Sequence, residues 1–519
     1  MTQPAVTQPA MTRLAMTGLA MTRLAMKGLA MTRLAMTGLA MTGLAMTRLA
    51  ITVLAGIAAL STACSVEIDR CRVPGYCTDL GPSGCDGCLQ NDVCIRLADT
   101  DQGACGRSGQ GCSRCPVELP VCREGACGPQ NPAVAVSAGS TTTCAVDDRG
   151  GLFCWGGEST AQQTQVRSCS SCPDDTTCAE CACPDNQSAP ELIRGGSIST
   201  VALSTRFFGQ ACALREGQAV CWGQGAPHLG VGDSDSRCAP NQVQTDVRFT
   251  ALATANQATY GLDDRGQLYG WGNNANGRLG ELPGAIPTPM PMFPGVTFGQ
   301  VDNGGSVGCG VDDGGQLMCW GGNSSGALGA GLPIESRSYA TPQAVGTRFR
   351  SVSVGDGTAC AIEDLRAIDP TSRLTLYCWG QNDRGQLGIG SAGPPQNAPT
   401  DPVLPERSWR EVSVGEDHAC ALTEDDRLFC WGSNIENAFD GRVGQTGVEP
   451  ERDFVETPGE VALDPPRAWR TVSAGAAHTC AVTWGGEVFC WGHNGHSQLG
   501  RSHQEGSSSA PWVVLLPPR

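Results

Sequence analysis

The sequence predicts an all-β chain, a seven-bladed β-propeller preceded by a small disulfide-rich module. Three observations carry this. A Trp-Gly dipeptide recurs at Trp155, Trp222, Trp271, Trp320, Trp379, Trp431 and Trp491, with a mean spacing of 56 residues. Periods near 50 with several short strands per unit mark propeller blades. Before each dipeptide stand two short apolar runs joined by a turn, the pattern of an antiparallel hairpin. Gly (69) and Pro (33) make up about a fifth of the 519 residues, against 5% aromatics, which favours turn-rich β structure over helix.

In chain order, residues 1–45 are low-complexity sequence. A pentad of the type MTRLA or MTGLA repeats from Met11 with Met every fifth position, and a period of five suits neither a helix face nor a strand face. It reads as biased sequence, or as codons upstream of a start placed too early. Residues 46–63 differ. Arg48 precedes an apolar run, Leu49–Leu60, interrupted only by Thr52, and Ser61-Thr62-Ala63 is a small-residue cleavage segment ending at Cys64. This is a signal peptide, too short for a membrane span. It resembles the lipobox of bacterial lipoproteins, which implies lipid attachment at Cys64. It departs in having Ser61 three residues before the Cys, where that family has Leu.

The 29 cysteines imply an oxidising compartment and a disulfide framework. Zinc is the rival reading of the C-x2-C pairs. Ten cysteines fall between Cys71 and Cys127, twelve in the repeats, and six at Cys169, Cys172, Cys178, Cys181, Cys183 and Cys238, leaving Cys64 alone. Residues 64–129 hold few large apolar side chains and must be stapled to fold. They read as a stiff spacer, or as a ligand-binding module.

Residues 130–519 carry the seven repeats. One unit runs from Trp469-Arg-Thr-Val-Ser-Ala-Gly475 through His478-Thr-Cys480-Ala-Val482 and a Gly485-Gly486 turn. It continues with Val488-Phe-Cys490-Trp491-Gly492 and ends at Gln498-Leu499-Gly500. Phe249, Phe298 and Phe349 stand where Trp409 and Trp469 do. The Cys-Ala-Val and Phe-Cys-Trp runs read as strands buried on both faces, with each Trp packed between blades. Blade 1 carries an insertion, 158–188, in place of the Gln-Leu-Gly ending, and blade 2 has Phe207 where the glycine is expected.

These units resemble the repeats of the regulator of chromosome condensation family, whose members fold as seven-bladed propellers. The Arg384-Gly385-Gln386-Leu387-Gly388 and Gln498-Leu499-Gly500 endings match that pattern. The resemblance extends over about residues 132–519, and secreted bacterial members, including β-lactamase-inhibitor propellers, share the fold.

The paired cysteines depart from the family. The pairs are Cys144 with Cys154, Cys212 with Cys221, Cys309 with Cys319, Cys360 with Cys378, Cys420 with Cys430 and Cys480 with Cys490. Each pair flanks a hairpin turn, so its side chains can meet across strands. Blade 3 has Tyr260 and Gly270 instead, so both partners are missing together, as a within-blade disulfide requires. Closure is also readable: the chain after Gly500 ends in Ala510–Leu516, and Pro132–Val136 supplies the continuation, so the two ends should meet in one ring.

Candidate chemistry is thin. His418 and His478 hold a repeat position and read as packed. His493, His496 and His503 lie close together after the last Trp-Gly, as an exposed loop or a metal site. The turns Asp147-Asp148, Asp263-Asp264, Asp312-Asp313 and Asp425-Asp426 read as solvated hairpin tips, with weak calcium binding the sharper alternative. No phosphate loop, serine elbow or paired-histidine zinc motif appears, and no cofactor is expected. The charge after residue 63 is −21, and the only lysine is Lys27. That opposes nucleic acid and anionic lipid as partners.

The expected function is therefore a non-catalytic binding propeller of the cell envelope, an outer membrane lipoprotein or a secreted protein. It would be held to the membrane by its lipid alone and would meet an extracytoplasmic protein or polysaccharide. Inhibition of a secreted or periplasmic enzyme is one form of this. An envelope hydrolase or lyase using a propeller face is the alternative. Nucleotide exchange or chromatin binding, which the resemblance to eukaryotic members would imply, is opposed by the signal peptide, the disulfides and the acidity.

Overall fold

The structure is a computed structural model. It describes four short strands between residues 88 and 128, and residues 129–517 apart from 130, 158–186, 195–196, 206–208, 224–226, 401–403 and 436–442. The pentad repeat, the signal segment, Cys64 and the five cysteines of the blade 1 insertion lie outside these residues. Within 64–129, Cys88–Gln90 pairs with Val93–Ile95, and Val121–Arg123 with Ala126–Gly128, as two antiparallel hairpins.

Seven four-stranded antiparallel sheets follow among the described residues, each built from four strands consecutive in the chain. Blade 1 begins at Ala133–Ala138 and ends at Gln187–Arg194. The first and last strands of blades 2 to 4 are Ile198–Leu203 and Arg237–Gln242, Phe249–Ala255 and Ala285–Pro291, and Phe298–Gly304 and Ser338–Gly346. Those of blades 5 to 7 are Phe349–Val354 and Gln396–Thr400, Trp409–Val414 and Phe454–Val461, and Trp469–Ala474 and Ser508–Val514. The second and third strands form the hairpin read from the sequence. In blade 6 these are His418–Thr423 and Leu428–Ser433, buried at every position.

Trp-Gly recurs for a backbone reason as well as a packing one. The glycine after each of the seven tryptophans has φ between 87° and 119°, a region in which an L side chain is strained. Each Trp is fully buried and, except for Trp320, shares an apolar cluster with the cysteine pair of the preceding blade. Trp222 meets Cys144 and Cys154, Trp271 meets Cys212 and Cys221, and Trp379 meets Cys309 and Cys319. Trp431 meets Cys360 and Cys378, Trp491 meets Cys420 and Cys430, and Trp155 meets Cys480 and Cys490. The core is thus seven slabs between blades.

The paired cysteines stand directly opposite each other across the hairpin. All six expected pairs are joined as disulfides: Cys144 to Cys154, Cys212 to Cys221, Cys309 to Cys319, Cys360 to Cys378, Cys420 to Cys430 and Cys480 to Cys490. Their Cα atoms lie 4.0–4.1 Å apart. They staple each hairpin and also form the floor on which the next tryptophan sits.

The first strands are bound blade to blade by side chains reaching the neighbour's backbone. Ser137 Oγ accepts from Leu203 N at 3.1 Å, Ser353 from Val414 N at 3.1 Å, Ser413 from Ala474 N at 2.9 Å and Ser473 from Ala138 N at 2.9 Å. In blade 4 Asp302 holds this place, accepting from Val354 N at 2.8 Å, and burial pushes its carboxyl up to about 6. The Ser473 bond crosses the seam between blades 7 and 1, which Ala133 N to Gly486 O (2.9 Å) and Ala476 N to Gly139 O (3.0 Å) also close. The expected meeting of the ends is observed.

Two sequence expectations bear on blades 1 and 2. Phe207 lies outside the described residues, but the register beside it identifies the residue that corresponds to the repeat glycine. Cys212 pairs with Ala202 as Cys480 pairs with Ser473, which makes Ser204 the counterpart of Gly475. Ser140 N donates to Ser204 O just as Ala476 N donates to Gly139 O. The sequence between Ser204 and Cys212 is three residues longer than that between Gly475 and Cys480, so counting back from the cysteine leads to a different residue. The insertion also ends earlier than 188: Gln187 and Ser188 belong to the fourth strand, and Gln187 pairs with Gly156.

Every fourth strand, the outermost of its sheet, carries a proline one residue before the partner of the third-strand Cys or its counterpart. These are Pro190, Pro240, Pro289, Pro342, Pro399, Pro458 and Pro511. The ladder register shifts just beyond this point in every blade, and each proline leaves its strand without a donor N–H at that position.

Candidate interaction face

The polar residues at repeat positions are consumed by the framework. His418 Nε2 meets Thr479 Oγ1, and His478 Nε2 meets Thr143 Oγ1, both at 2.8 Å and both in the next blade. Burial pushes each imidazole down to about 3, so both are neutral near pH 7. Asn382 and Asn494 clamp the loops after Trp-Gly, accepting from Leu387 N and Leu499 N and donating to Ser391 O and Ser502 O. The carbonyl oxygens of Gln386 and Gln498 in those loops accept the indole N–H of Trp431 and Trp155, each at 2.9 Å. Ala327 O and Arg278 O do the same for Trp379 and Trp320, so the loop after Trp-Gly holds the next blade's tryptophan through its backbone.

The acidic turns have a local role. Asp147, Asp263 and Asp312 each accept two backbone N–H groups of their own turn at 2.7–2.9 Å. His493 and His496 have ring centres 5.8 Å apart, whereas His503 opens a separate turn, His503–Glu505. No group of three or more His, Cys, Asp or Glu suited to a metal occurs among the described residues.

Blade 3 fills its missing disulfide with a ring. Tyr260 stands opposite Gly270, is fully buried, and donates its hydroxyl to Arg278 O while accepting from Trp320 Nε1 at 3.1 Å. Gly270 leaves room for Met292 and Leu279, and Gly308 of blade 4 leaves room for the Tyr260 hydroxyl. A pair of cysteines has been replaced by three coordinated residues.

The antiparallel order gives the ring two faces. On one lie the turns after each first strand and the loops after Trp-Gly, including both ends of the blade 1 insertion. On the other lie the hairpin tips and the starts of the first strands. Here the first strands bulge: pairing skips one residue between Phe298 and Gln300, Phe349 and Ser351, Trp409 and Glu411, and Trp469 and Thr471. A bulged residue is left out of the ladder and re-aims its side chain.

Those residues are Gly299, Arg350, Arg410 and Arg470 in blades 4 to 7. Arg410 crosses to blade 7, donating Nη1 to Arg470 O and Nη2 to Trp469 O, both at 2.9 Å, and it pairs with Asp426 at 3.0 Å. Its guanidinium and that of Arg470 lie 5.8 and 5.5 Å from the ring of Trp484, which is 55% exposed. Between blades 4 and 5, at Gly299, the same face opens into a cleft of about 650 Å³, lined by Gln300, Asp313, Phe349, Arg350 and Arg366 among others. Sequence reasoning missed this contrast. Aligning the residue after each Phe298, Phe349, Trp409 and Trp469 would have found it, since Gly stands there once and Arg three times.

The sequence pattern described as the Regulator of chromosome condensation (RCC1) repeat matches residues 133–162, 375–422, 409–437 and 469–498. The chain is 28% identical over 306 residues to the Ultraviolet-B receptor UVR8 of Arabidopsis thaliana, covering 56% of this chain and 53% of the receptor. It is 27% identical over 314 residues to RUG3 of the same plant, a mitochondrial RCC1 domain-containing protein, covering 60% and 57%. The chain thus spans a little over half the length of these relatives. Among solved structures it superposes on Prp20p of Saccharomyces cerevisiae with a TM-score of 0.57 at 18% identity, covering 74% of this chain and 87% of that one. This last likeness concerns the fold alone.

Proposed function

We propose, from the premise that this chain is a seven-bladed propeller of regulator of chromosome condensation repeats, that it is an envelope-anchored, non-catalytic binding protein whose partner meets a propeller face. One observation carries the reading. The histidines that recur by repeat position bridge neighbouring blades, and the recurring asparagines and turn aspartates are engaged in their own loops and turns. What varies between blades is the surface of the faces, and loops positioned by a rigid scaffold are frequent recognition sites. The signal-like segment before Cys64 and the paired cysteines support an oxidising, extracytoplasmic setting.

Two measurements test this. Mass spectrometry of the mature N-terminus should find an acylated Cys64; a free N-terminus at another residue would remove the anchor. Envelope fractions passed over the immobilised propeller should yield a reproducible partner. That partner should be lost when residues 159–185 are deleted and Cys238 is changed to Ser, a deletion that spares the Gly156–Gln187 pairing. Undiminished capture by the folded variant would move the site to the hairpin-tip face, and no capture by the intact propeller would refute the binding function.

A further inference from the structure

The geometry points to the cleft beside Gly299 as a receptor for an arginine side chain of a protein partner. This goes beyond the binding-propeller reading by adding a second contact, on the face opposite the blade 1 insertion, and rests on that reading for the existence of a protein partner. At the equivalent junction two blades on, the occupant of such a cleft is visible. Arg410 of blade 6 lays its guanidinium across the bulge of blade 7, giving one N–H to Trp469 O, another to Arg470 O, and facing the carboxylate of Asp426. Two adjacent carbonyls and a carboxylate suit a planar fork of donors better than an ammonium.

Blade 5 has the same bulge, between Phe349 and Ser351. By register, the counterparts of Trp469 and Arg470 are Phe349 and Arg350, and both line the cleft. Two side chains of that arrangement are absent: blade 4 has Gly299 where blade 6 has Arg410, and Gly315, whose carbonyl accepts from Phe349 N as that of Asp426 accepts from Trp469 N, where blade 6 has Asp426. A carboxylate is still supplied. Asp313 Oδ1 lies 3.5 Å from where a Cβ on Gly299 would stand. The junction thus keeps the two backbone positions, takes its carboxylate from Asp313 instead, and lacks the guanidinium, which another molecule can supply.

Charge agrees. Arg366, on one wall, is already held by Asp364 at 2.7 Å and Glu424 at 3.0 Å. Arg350 and its neighbour Arg348 are exposed, where solvent and salt screen them. The chain as a whole carries a formal charge of −16, so its long-range field draws cationic partners.

The test needs no knowledge of the natural partner. A fluorescent acetyl-Gly-Arg-Gly-amide probe is titrated against the intact oxidised protein, with Lys and Glu versions beside it. Gly299→Arg installs the missing side chain in cis. The position has no positive φ, and a Cβ there makes only ordinary contacts, so the variant should fold. Gly299→Ala leaves the cleft open. Gly393→Arg adds the same charge in the loop after the third strand of blade 5, on the opposite face, where a Cβ meets nothing within 4 Å.

The expected result is that the Arg probe binds in preference to Lys and Glu. Gly299→Arg should weaken it at least tenfold, whereas Gly299→Ala and Gly393→Arg should change it less than twofold. Equal weakening by Gly299→Arg and Gly393→Arg would reduce the binding to diffuse charge attraction and overturn the site. Preference for the Glu probe, or no binding of the Arg probe, would also overturn it. Partner capture from envelope fractions is read separately, so loss of the cleft assignment would leave the binding reading standing.

Discussion

Tyr260 offers the sharpest test of how the blades are held together. In six junctions a disulfide lies beneath the next blade's tryptophan, and between blades 3 and 4 the ring of Tyr260 takes its place, 5.8 Å centre to centre from the ring of Trp320. Tyr260→Ala empties a fully buried aromatic site bordered by a disulfide-free hairpin. Removing a core ring of that size costs about 3–5 kcal/mol. Tyr260→Phe separates the hydroxyl from the ring. Arg278 O still accepts from Trp320 Nε1 at 2.9 Å, so no carbonyl is stranded, and the loss should be about 1 kcal/mol. The assay is equilibrium unfolding in guanidinium chloride with the disulfides intact, followed by tryptophan fluorescence. A cost below about 1 kcal/mol for the alanine variant, or equal costs for the two, would refute the ring's role as the substitute for the missing disulfide.

Two further outcomes follow from the same framework. Asp302 has its carboxyl raised to about 6 by burial, against about 3.9 in an unfolded chain. Its stabilising contribution is therefore present below pH 4 and lost as pH rises through 6. Relative to Asp302→Ser, which copies Ser353, Ser413 and Ser473, the wild type should lose up to about 3 kcal/mol between pH 4 and pH 8; parallel pH profiles of unfolding would contradict this. Replacing Cys420 and Cys430 together by Ala should cost about 2–4 kcal/mol and shift the emission of Trp491, which shares their cluster, to longer wavelength. An unchanged spectrum would mean that the pair does not support the tryptophan.

What was legible in the sequence is what repeats at fixed spacing. Trp-Gly marks the third strands, Phe298, Phe349, Trp409 and Trp469 mark the starts of first strands, and each cysteine pair falls opposite itself because a hairpin tip keeps its residues in register. Blade 5 shows the limit of this rule and its strength. Its hairpin is longer, with Cys360 and Cys378 separated by 18 residues, yet they still pair. Features without fixed spacing were not legible. Ser204 is hidden by a longer spacing to the following cysteine, and the end of the insertion by a strand that has no cysteine of its own. The cleft was hidden for another reason. It is defined by what Gly299 lacks, and a missing side chain is visible only once Arg410 shows where it would have gone.

The prolines of the outer strands have a consequence for how such a molecule behaves among its own kind. A sheet margin recruits another chain only where its donors and acceptors run on without a break. Each of the seven margins is interrupted at the same depth by Pro190, Pro240, Pro289, Pro342, Pro399, Pro458 or Pro511. Wheels crowded side by side therefore cannot stitch rim to rim into a continuous ribbon, whatever their concentration. The two ends of the ring, by contrast, present loops and side chains rather than open backbone.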